Sequence, residues 1–203
     1  MSGEDSRVKI GAFETSLAVA IDLRDGVAGG RPKGAPSVTL ANRPETFKRT
    51  PGGYHVLTDV SENVGEVTIV VDGGSAHLDE RRAVDLGAID RATPETVELP
   101  PSPAYPFSSG TTLVRGIVTD ASDAPVADAP VTIQGRSEST RTSQAGEYAL
   151  PIRSIESAHV NNGALRVCGG TPTLEAAHPE SETTTTGSMR IPVGETSIKN
   201  IQF

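Results

Sequence analysis

Leu113-Val114-Arg115-Gly116-Ile117-Val118-Thr119-Asp120 opens the stretch that decides the fold; it continues through Ala124-Pro125-Val126-Ala127-Asp128-Ala129-Pro130-Val131-Thr132-Ile133 and closes on Arg141-Thr142-Ser143-Gln144-Ala145-Gly146-Glu147-Tyr148-Ala149-Leu150. Leu113, Arg115 and Ile117 alternate with Val114, Gly116 and Val118, the two-residue period of a strand. Asp120 to Pro125 supplies a turn, and Val131 and Ile133 are spaced to enter a core together. Gly116 stands where a side chain would crowd a crossing backbone. Gly146 permits the positive φ of the turn before Tyr148, whose ring can cap the open end of a sandwich while its hydroxyl reaches backbone or water.

Working outward, the N-terminal part of the chain echoes this stretch. Ala35-Pro36-Ser37-Val38-Thr39-Leu40 matches Ala129-Pro130-Val131-Thr132-Ile133, and Gly52-Gly53-Tyr54-His55-Val56-Leu57 matches Gly146-Glu147-Tyr148-Ala149-Leu150 at nearly the same offset. A looser third echo pairs Val70-Val71-Asp72-Gly73-Gly74 with Arg166-Val167-Cys168-Gly169-Gly170. Two related modules is the economical reading. Leu17, Val19 and Ile21 alternate, Glu66-Val67-Thr68-Ile69-Val70-Val71 is short and β-branched, and clusters such as Asp25-Gly26 and Asn161-Asn162-Gly163 mark turns. No segment sustains a helical period over ten residues; Leu78 to Leu86 reads as one turn or a solvated loop.

Between the modules lies Pro100-Pro101-Ser102-Pro103-Ala104-Tyr105-Pro106-Phe107, where four prolines in eight residues remove backbone donors and hold the chain extended. Tyr105 and Phe107 predict that this linker packs against a neighbouring domain. The expected fold is therefore all-β, two tandem antiparallel β-sandwiches joined by a Pro-rich linker. The divisions are an arm at 1–12, a divergent sandwich at 13–99, the linker at 100–110 and a second sandwich at 111–203.

Composition agrees. Of 203 residues, 3% are aromatic and none is Trp, while 21 glycines and 15 prolines demand many turns, so the core must be aliphatic. The net charge of −8, with no basic block, argues against nucleic acid as a partner. The basic residues are mostly arginine; an acidic, lysine-poor surface stays soluble in high salt, and a GC-rich genome yields the same bias, so both readings stay open. No apolar run reaches the roughly 20 residues of a membrane helix, and Met1 to Gly11 carries Glu4 and Asp5 in place of a basic leader, so neither membrane insertion nor secretion through a signal peptide is expected. Cys168 stands alone, which excludes an internal disulfide and a cysteine zinc site, and burial statistics place it in a buried strand.

The residues quoted at the outset resemble the carboxypeptidase regulatory-like module, a transthyretin-like sandwich with the pattern V-x-G-x-V-x-D, a P-V-x-x-A-x-V turn and T-x-x-x-G-x-Y-x-L. The resemblance covers about 40 residues in the right order; the first module departs from the pattern at Asp25 to Pro32, where the first turn is longer. It implies scaffolding or a binding appendage and supplies no reactive group. The whole arrangement also looks like accessory proteins of phage-tail-like contractile injection systems, particles assembled in the cytoplasm and released later. That resemblance implies a structural role, at the cap or collar, with other protein subunits as partners.

Candidate chemistry is thin. His55, His77, His159 and His178 are scattered without metal-ligand spacing; His77-Leu78-Asp79-Glu80 and His178-Pro179-Glu180 read as solvated loops. Asp120 and Asp123 lack the further acids and fixed glycine of a helix-loop-helix calcium loop, so they read as a turn. Gly29-Gly30-Arg31-Pro32-Lys33-Gly34 has no helix behind it to hold a phosphate and reads as a hairpin loop. Lys199 is the second module's only lysine, and its neighbour Asn200 would point to the opposite face of a strand, so a Lys–Asn isopeptide bond would need another asparagine. Thr183-Thr184-Thr185-Thr186 forms a strand edge or a polar loop, and an edge would suit docking onto another strand. Ser197 to Phe203 is expected to be a last strand closing the sandwich. The expectation is a non-enzyme with no catalytic, cofactor-binding or metal-ligating residues and no cofactor, since both modules consume the chain and leave no room for a hydrolase. The alternative is a surface- or carbohydrate-binding adhesion module, for which few aromatic platforms remain.

Overall fold

The computed structural model describes residues 15–60 and 64–203, and the arm at 1–12 lies outside them. The all-β expectation holds: strands carry the chain, and one 3-10 turn at Ser157–His159 accompanies them.

In the N-terminal half the strands are β1 (Leu17–Asp25), β2 (Ser37–Leu40), β3 (Lys48–Arg49), β4 (His55–Thr58), β5 (Glu66–Asp72), β6 (Glu80–Asp85) and β7 (Glu95–Leu99). They form two sheets, ordered β3-β4-β1-β7 and β2-β5-β6. Val19, Ile21, Leu23, Leu57 and Leu99 from the first face Val38, Leu40, Val67, Ile69 and Val71 from the second in one buried aliphatic cluster. Alternation explains the faces: β5 reads exposed, buried, half-buried, buried along Glu66-Val67-Thr68-Ile69. The alternation shifts once, at a bulge between Leu17 and Val19, which leaves Leu17 only half-buried.

The C-terminal half comprises β8 (Thr112–Thr119), β9 (Pro130–Ile133), β10 (Ser139–Arg141), β11 (Glu147–Ile152), the short hairpin β12 (Val160–Asn161) and β13 (Ala164–Leu165), β14 (Thr173–Ala177), β15 (Thr184–Ser188), β16 (Thr196–Ile198) and β17 (Ile201–Gln202). Its second buried cluster gathers Val114, Val118, Val131, Ile133, Tyr148 and Leu174, among others. The two halves share a wiring. In each, the first long strand takes an antiparallel neighbour and is closed by a parallel last strand: β1 lies between β4 and β7, and β8 between β11 and the β16/β17 pair. In each, the facing sheet has the same centre, β5 between β2 and β6, and β14 between β9 and β15.

This wiring corrects the third sequence echo. The counterpart of β5 is β14, whereas Arg166 to Gly170 is a turn closed by hydrogen bonds in both directions between Val167 and Gly170. It also corrects the second in part, because Tyr148 is fully buried while Tyr54 is 37% exposed. Leu78 to Leu86 is neither a helical turn nor a solvated loop. Leu78 and Leu86 are buried and Glu80–Asp85 pairs with β5, the charged side chains facing outward from a half-exposed strand.

Gly116 and Tyr148 act together at the closing strand. A Cβ on Gly116 would stand 2.6 Å from the Lys199 carbonyl carbon and 2.9 Å from Tyr148 Cε1. The Tyr148 hydroxyl donates to the same Lys199 carbonyl at 2.6 Å, and burial drives its pKa far above the usual phenol value. The expected last strand is thus two short strands split at Lys199-Asn200, where the Ile117 N–H donates to Asn200 Oδ1 at 3.1 Å. Gly146, at φ +72, meets Val118 O at 2.7 Å from a would-be Cβ, so the turn tolerates no side chain.

Candidate functional site

Two features stand out from the scaffold: a polar cluster under the proline-rich stretch, and a bare sheet edge. The proline-rich stretch is stitched to the N-terminal half. Leu78 N–H donates to Pro100 O at 2.9 Å, Ser102 N–H to Ala76 O at 3.0 Å, and Ser102 Oγ to Ser75 O at 2.5 Å. Proline lacks a donor but keeps its carbonyl, and here Pro100 uses it. Tyr105 is 3% exposed, and its hydroxyl donates to Asp25 Oδ2 at 2.8 Å. Asp25 Oδ1 accepts the Val27 and Ala28 N–H groups at 2.7 and 2.9 Å.

His77 lies against the same carboxylate, Nε2 to Oδ2 at 3.5 Å, and packs edge-on to the Tyr105 ring. Neither of its ring nitrogens has a hydrogen-bond partner among the described residues. His77 is 2% exposed, which corrects the expectation of a solvated loop; pairing with the proline-rich stretch covers it. Burial pushes the Asp25 carboxyl up, but the hydrogen bonds from Ala28, Tyr105 and Val27, with His77 beside it, outweigh burial and hold it below the usual carboxylate value. Burial, then donation to Asp25 and the nearness of its charge, push the Tyr105 phenol up to about 12. The phenol therefore stays protonated and keeps donating near neutrality. The chemistry of this cluster is that of a brace.

Contacts from the C-terminal half reinforce it. Arg115 on β8 donates to Pro103 O at 2.5 Å and lies over the Phe107 ring. Arg153 donates to Gly26 O. Arg141 on β10 donates to Asp79 O and pairs with Glu80 at 2.8 Å and Asp128 at 3.4 Å. Burial pushes the Glu80 carboxyl up, against the opposing pull of Arg141. Beneath these bridges runs an open cleft of about 520 Å³ between Gly26, Glu98 and Pro101 on one side and Arg136, Glu138 and Arg153 on the other. It continues into a hollow of about 450 Å³ bounded by His159, Arg166 and Cys168. Arg136 is committed to Glu138 through two hydrogen bonds and to Arg153 O through a third.

The remaining sequence candidates disperse. Cys168 is exposed, at φ +49 in the Val167–Gly170 turn, which corrects the buried-strand expectation: backbone shape, not the apolar thiol, governs its place. His55 is buried on β4, and burial together with Arg49 lowers its pKa. His178 packs edge-on to Phe203 at the end of β14. Asp120 accepts the Ser122 and Ala124 N–H groups and the Ser122 hydroxyl, a turn as expected. Gly29 and Gly30 close a hydrogen-bonded loop on Asp25. The Lys199 Nζ approaches Gly187. Among the described residues no group of three or more His, Cys, Asp or Glu could hold a metal ion, and no helix is long and apolar enough to cross a membrane.

The four threonines mark the second feature. Thr184–Ser188 forms β15, the outer strand of the sheet ordered β10-β9-β14-β15. His178 N–H donates to Thr183 O at 2.9 Å and Met189 N–H to Pro172 O at 3.0 Å. Those bonds fix the phase of the ladder, so residues 183, 185, 187 and 189 bond inward to β14 and Thr184, Thr186 and Ser188 direct N–H and C=O away from the sheet. All three are exposed. Among the described residues β15 pairs with β14 alone.

No family model matches the chain, and no curated protein matches it either. Among the solved structures that show similarity are the following two. The Bacillus anthracis TIE protein aligns over 92% of this chain and 34% of its own, at 13% identity and a TM-score of 0.32. A streptococcal ancillary pilin aligns over 93% of this chain and 68% of its own, at 8% identity and a TM-score of 0.30. The chain thus spans about a third of the length of the first.

Proposed function

We propose that this chain is a non-catalytic structural subunit of a larger protein assembly, docked through a sheet edge. The observation that carries this reading is β15, an edge strand with no charged residue of its own, in which Thr184, Thr186 and Ser188 are exposed with donors and acceptors directed outward and the Lys199 ammonium lies beside Gly187. The braced contacts between halves support it, since a scaffold part transmits load best when its pieces do not swing. The resemblance of the two-module arrangement to accessory proteins of phage-tail-like contractile injection particles extends the reading to such a particle, at its cap or collar, assembled in the cytoplasm and released with it. A standard protein interface removes about 1,200–2,000 Å² from solvent, so strand pairing would be joined by contacts of the neighbouring loops.

Purification of the native complex and identification of what copurifies test the proposal, together with imaging of particles from a deletion strain. Tail-like components in the purified complex and altered particles are the expected results; unaltered, stable and active particles would overturn the particle assignment. The exposed Tyr54 ring favours one other reading, a surface- or carbohydrate-binding module. Saturable binding on a glycan array, lost on Tyr54→Ala, would select it.

A further inference from the structure

Beside the short β12–β13 hairpin lies a hollow of about 280 Å³ whose charged lining consists of two arginines, Arg166 and Arg190. The core brings them together. Their neighbours Leu165 and Ile191 are both buried, the Leu165 N–H donates to Ile191 O at 2.8 Å, and Ala164 bridges Pro192 antiparallel. Side chains alternate along extended chain, so with Leu165 and Ile191 turned inward the two arginines leave on the other side, into the hollow. Like charges set side by side across paired segments repel, and a carboxylate is the usual remedy. Arg24, Arg43, Arg82, Arg136 and Arg141 each have one within ion-pair reach. Acids are not scarce, at 26 against 18 basic residues, yet among the described residues neither Arg166 nor Arg190 is paired with one, and the rest of the lining is neutral.

Arg166 is the more telling of the two. Its Nε is buried without an acceptor among the described residues, and its Nη1 reaches Thr171 Oγ1 only at 3.4 Å. A guanidinium keeps its proton at any ordinary pH, so this N–H is a permanent donor, and a charged donor left buried and unmade is costly. Arg190 is oriented by donation from Nη2 to Asn162 O at 3.1 Å. We propose that the hollow binds a tetrahedral oxyanion, a phosphate or sulfate group, between Arg166 and Arg190. A planar carboxylate faces one guanidinium fork, whereas four tetrahedral oxygens can accept from two forks on different segments, and a double negative charge matches both arginines. Thr171, Asn161 and Asn162 line the rim with neutral polar groups. The volume falls just short of the roughly 300–1,000 Å³ that takes a drug-sized ligand, so the hollow suits the anionic group and the few atoms behind it. A free ion and a phosphorylated or sulfated sugar present the same chemistry here.

Isothermal titration calorimetry of the full chain tests this with inorganic phosphate, inorganic sulfate and acetate, in a buffer otherwise free of oxyanions and at constant ionic strength. Phosphate and sulfate each bind at one site with a Kd of about 1 mM, and acetate binds about tenfold more weakly. Arg190→Gln, a change at an exposed residue, and Arg166→Gln each weaken phosphate about tenfold, whereas Arg91→Gln, at an exposed arginine of the N-terminal half, leaves it unchanged. Both anions stabilise most proteins by exclusion from the surface, so saturation and its loss on substitution are the criteria rather than a rise in Tm. Should Arg166→Gln fail to fold, NMR of the wild type supplies the second measure: the Arg166 Nε–H signal moves with phosphate along the same saturation curve. Glucose 6-phosphate separates the sources, since binding about tenfold tighter than inorganic phosphate assigns the group to a sugar and equal or weaker binding assigns it to the free ion. The absence of saturable heat up to about 20 mM of either anion, roughly twenty times the expected Kd, overturns the proposal. So does an Arg190→Gln protein that binds as the wild type does, an Arg166 Nε–H signal that stays in place, or acetate that binds as tightly as phosphate.

Discussion

Replacing Gly116 by alanine places a methyl group where the closing strand already passes. The would-be Cβ lies 2.6 Å from the Lys199 carbonyl carbon, and the Lys199 segment has little freedom to retreat. Lys199 N–H donates to Arg115 O at 2.8 Å, Asn200 Oδ1 accepts Ile117 N–H, and the Tyr148 hydroxyl donates to Lys199 O at 2.6 Å. Relief requires that β16 and β17 move away from β8. Overpacking of this kind costs about 1–3 kcal/mol. The Tyr148 hydroxyl would also lose its acceptor while the residue stays 1% exposed, adding about 1–3 kcal/mol for an orphaned donor. The expected loss is therefore about 3 kcal/mol, measured by urea unfolding followed by circular dichroism, with a fall in Tm of about 6–12 °C. Tyr148→Phe alone should cost about 1–2 kcal/mol. The double variant should cost less than the sum, because the same hydrogen bond cannot be lost twice. A Gly116→Ala protein within about 1 kcal/mol of the wild type, or strict additivity with Tyr148→Phe, would refute this account of the closing strand.

Four further outcomes are expected. The Tyr105 phenol is raised in the folded protein, so the stability it contributes is complete below its unfolded pKa of about 10 and is lost as pH rises towards 12. The loss is absent from Tyr105→Phe and is read by chemical unfolding at a series of pH values. Asp25 is lowered, so its contribution is present above the usual carboxylate range of about 4 and disappears as pH falls through its folded value; Asp25→Asn should flatten the acid limb of the stability curve and lower stability at neutral pH. Cys168 should react stoichiometrically with a thiol reagent in the native state, and Cys168→Gly should raise stability by about 0.5–1 kcal/mol by relieving a positive φ in an L residue, as thermal unfolding would show. Arg141→Ala should raise hydrogen exchange at Asp79 and Glu80 and leave the two aliphatic clusters protected.

What the sequence discloses and what it hides divide along the range of the interactions. The strands at 113–118 and 131–133, the tight place at Gly116 and the turn at Gly146 are legible because each depends on alternation or on a local dihedral. The burial of His77 is not, since it arises from pairing with Pro101 and packing on Tyr105, contacts that no local pattern announces. The same holds for β6, whose Glu-Arg-Arg run is solvent-facing as it reads, while its pairing with β5 and the burial of Val84 leave no local mark. Cys168 misleads for the opposite reason, because an apolar preference yields to a turn that the adjacent glycines already signal. The threonine run leaves strand edge and polar loop open in the sequence; pairing with β14 decides for the strand, and the direction of its backbone groups follows from the bonds at His178 and Met189.

The parallel closing strands bear on how the chain is made. Because β7 lies beside β1 and β17 beside β8, neither sheet can be finished until its final strand has left the ribosome: Leu99 for the first half, Ile201 for the second. Ends so far apart along the chain pair slowly, after a large loop has closed. Synthesis therefore releases a completed first half that can shelter its aliphatic residues early, while the second remains open, with Ile201 missing from its core, until translation has passed that residue. The core of the second half thus stays incomplete until its closing strand emerges.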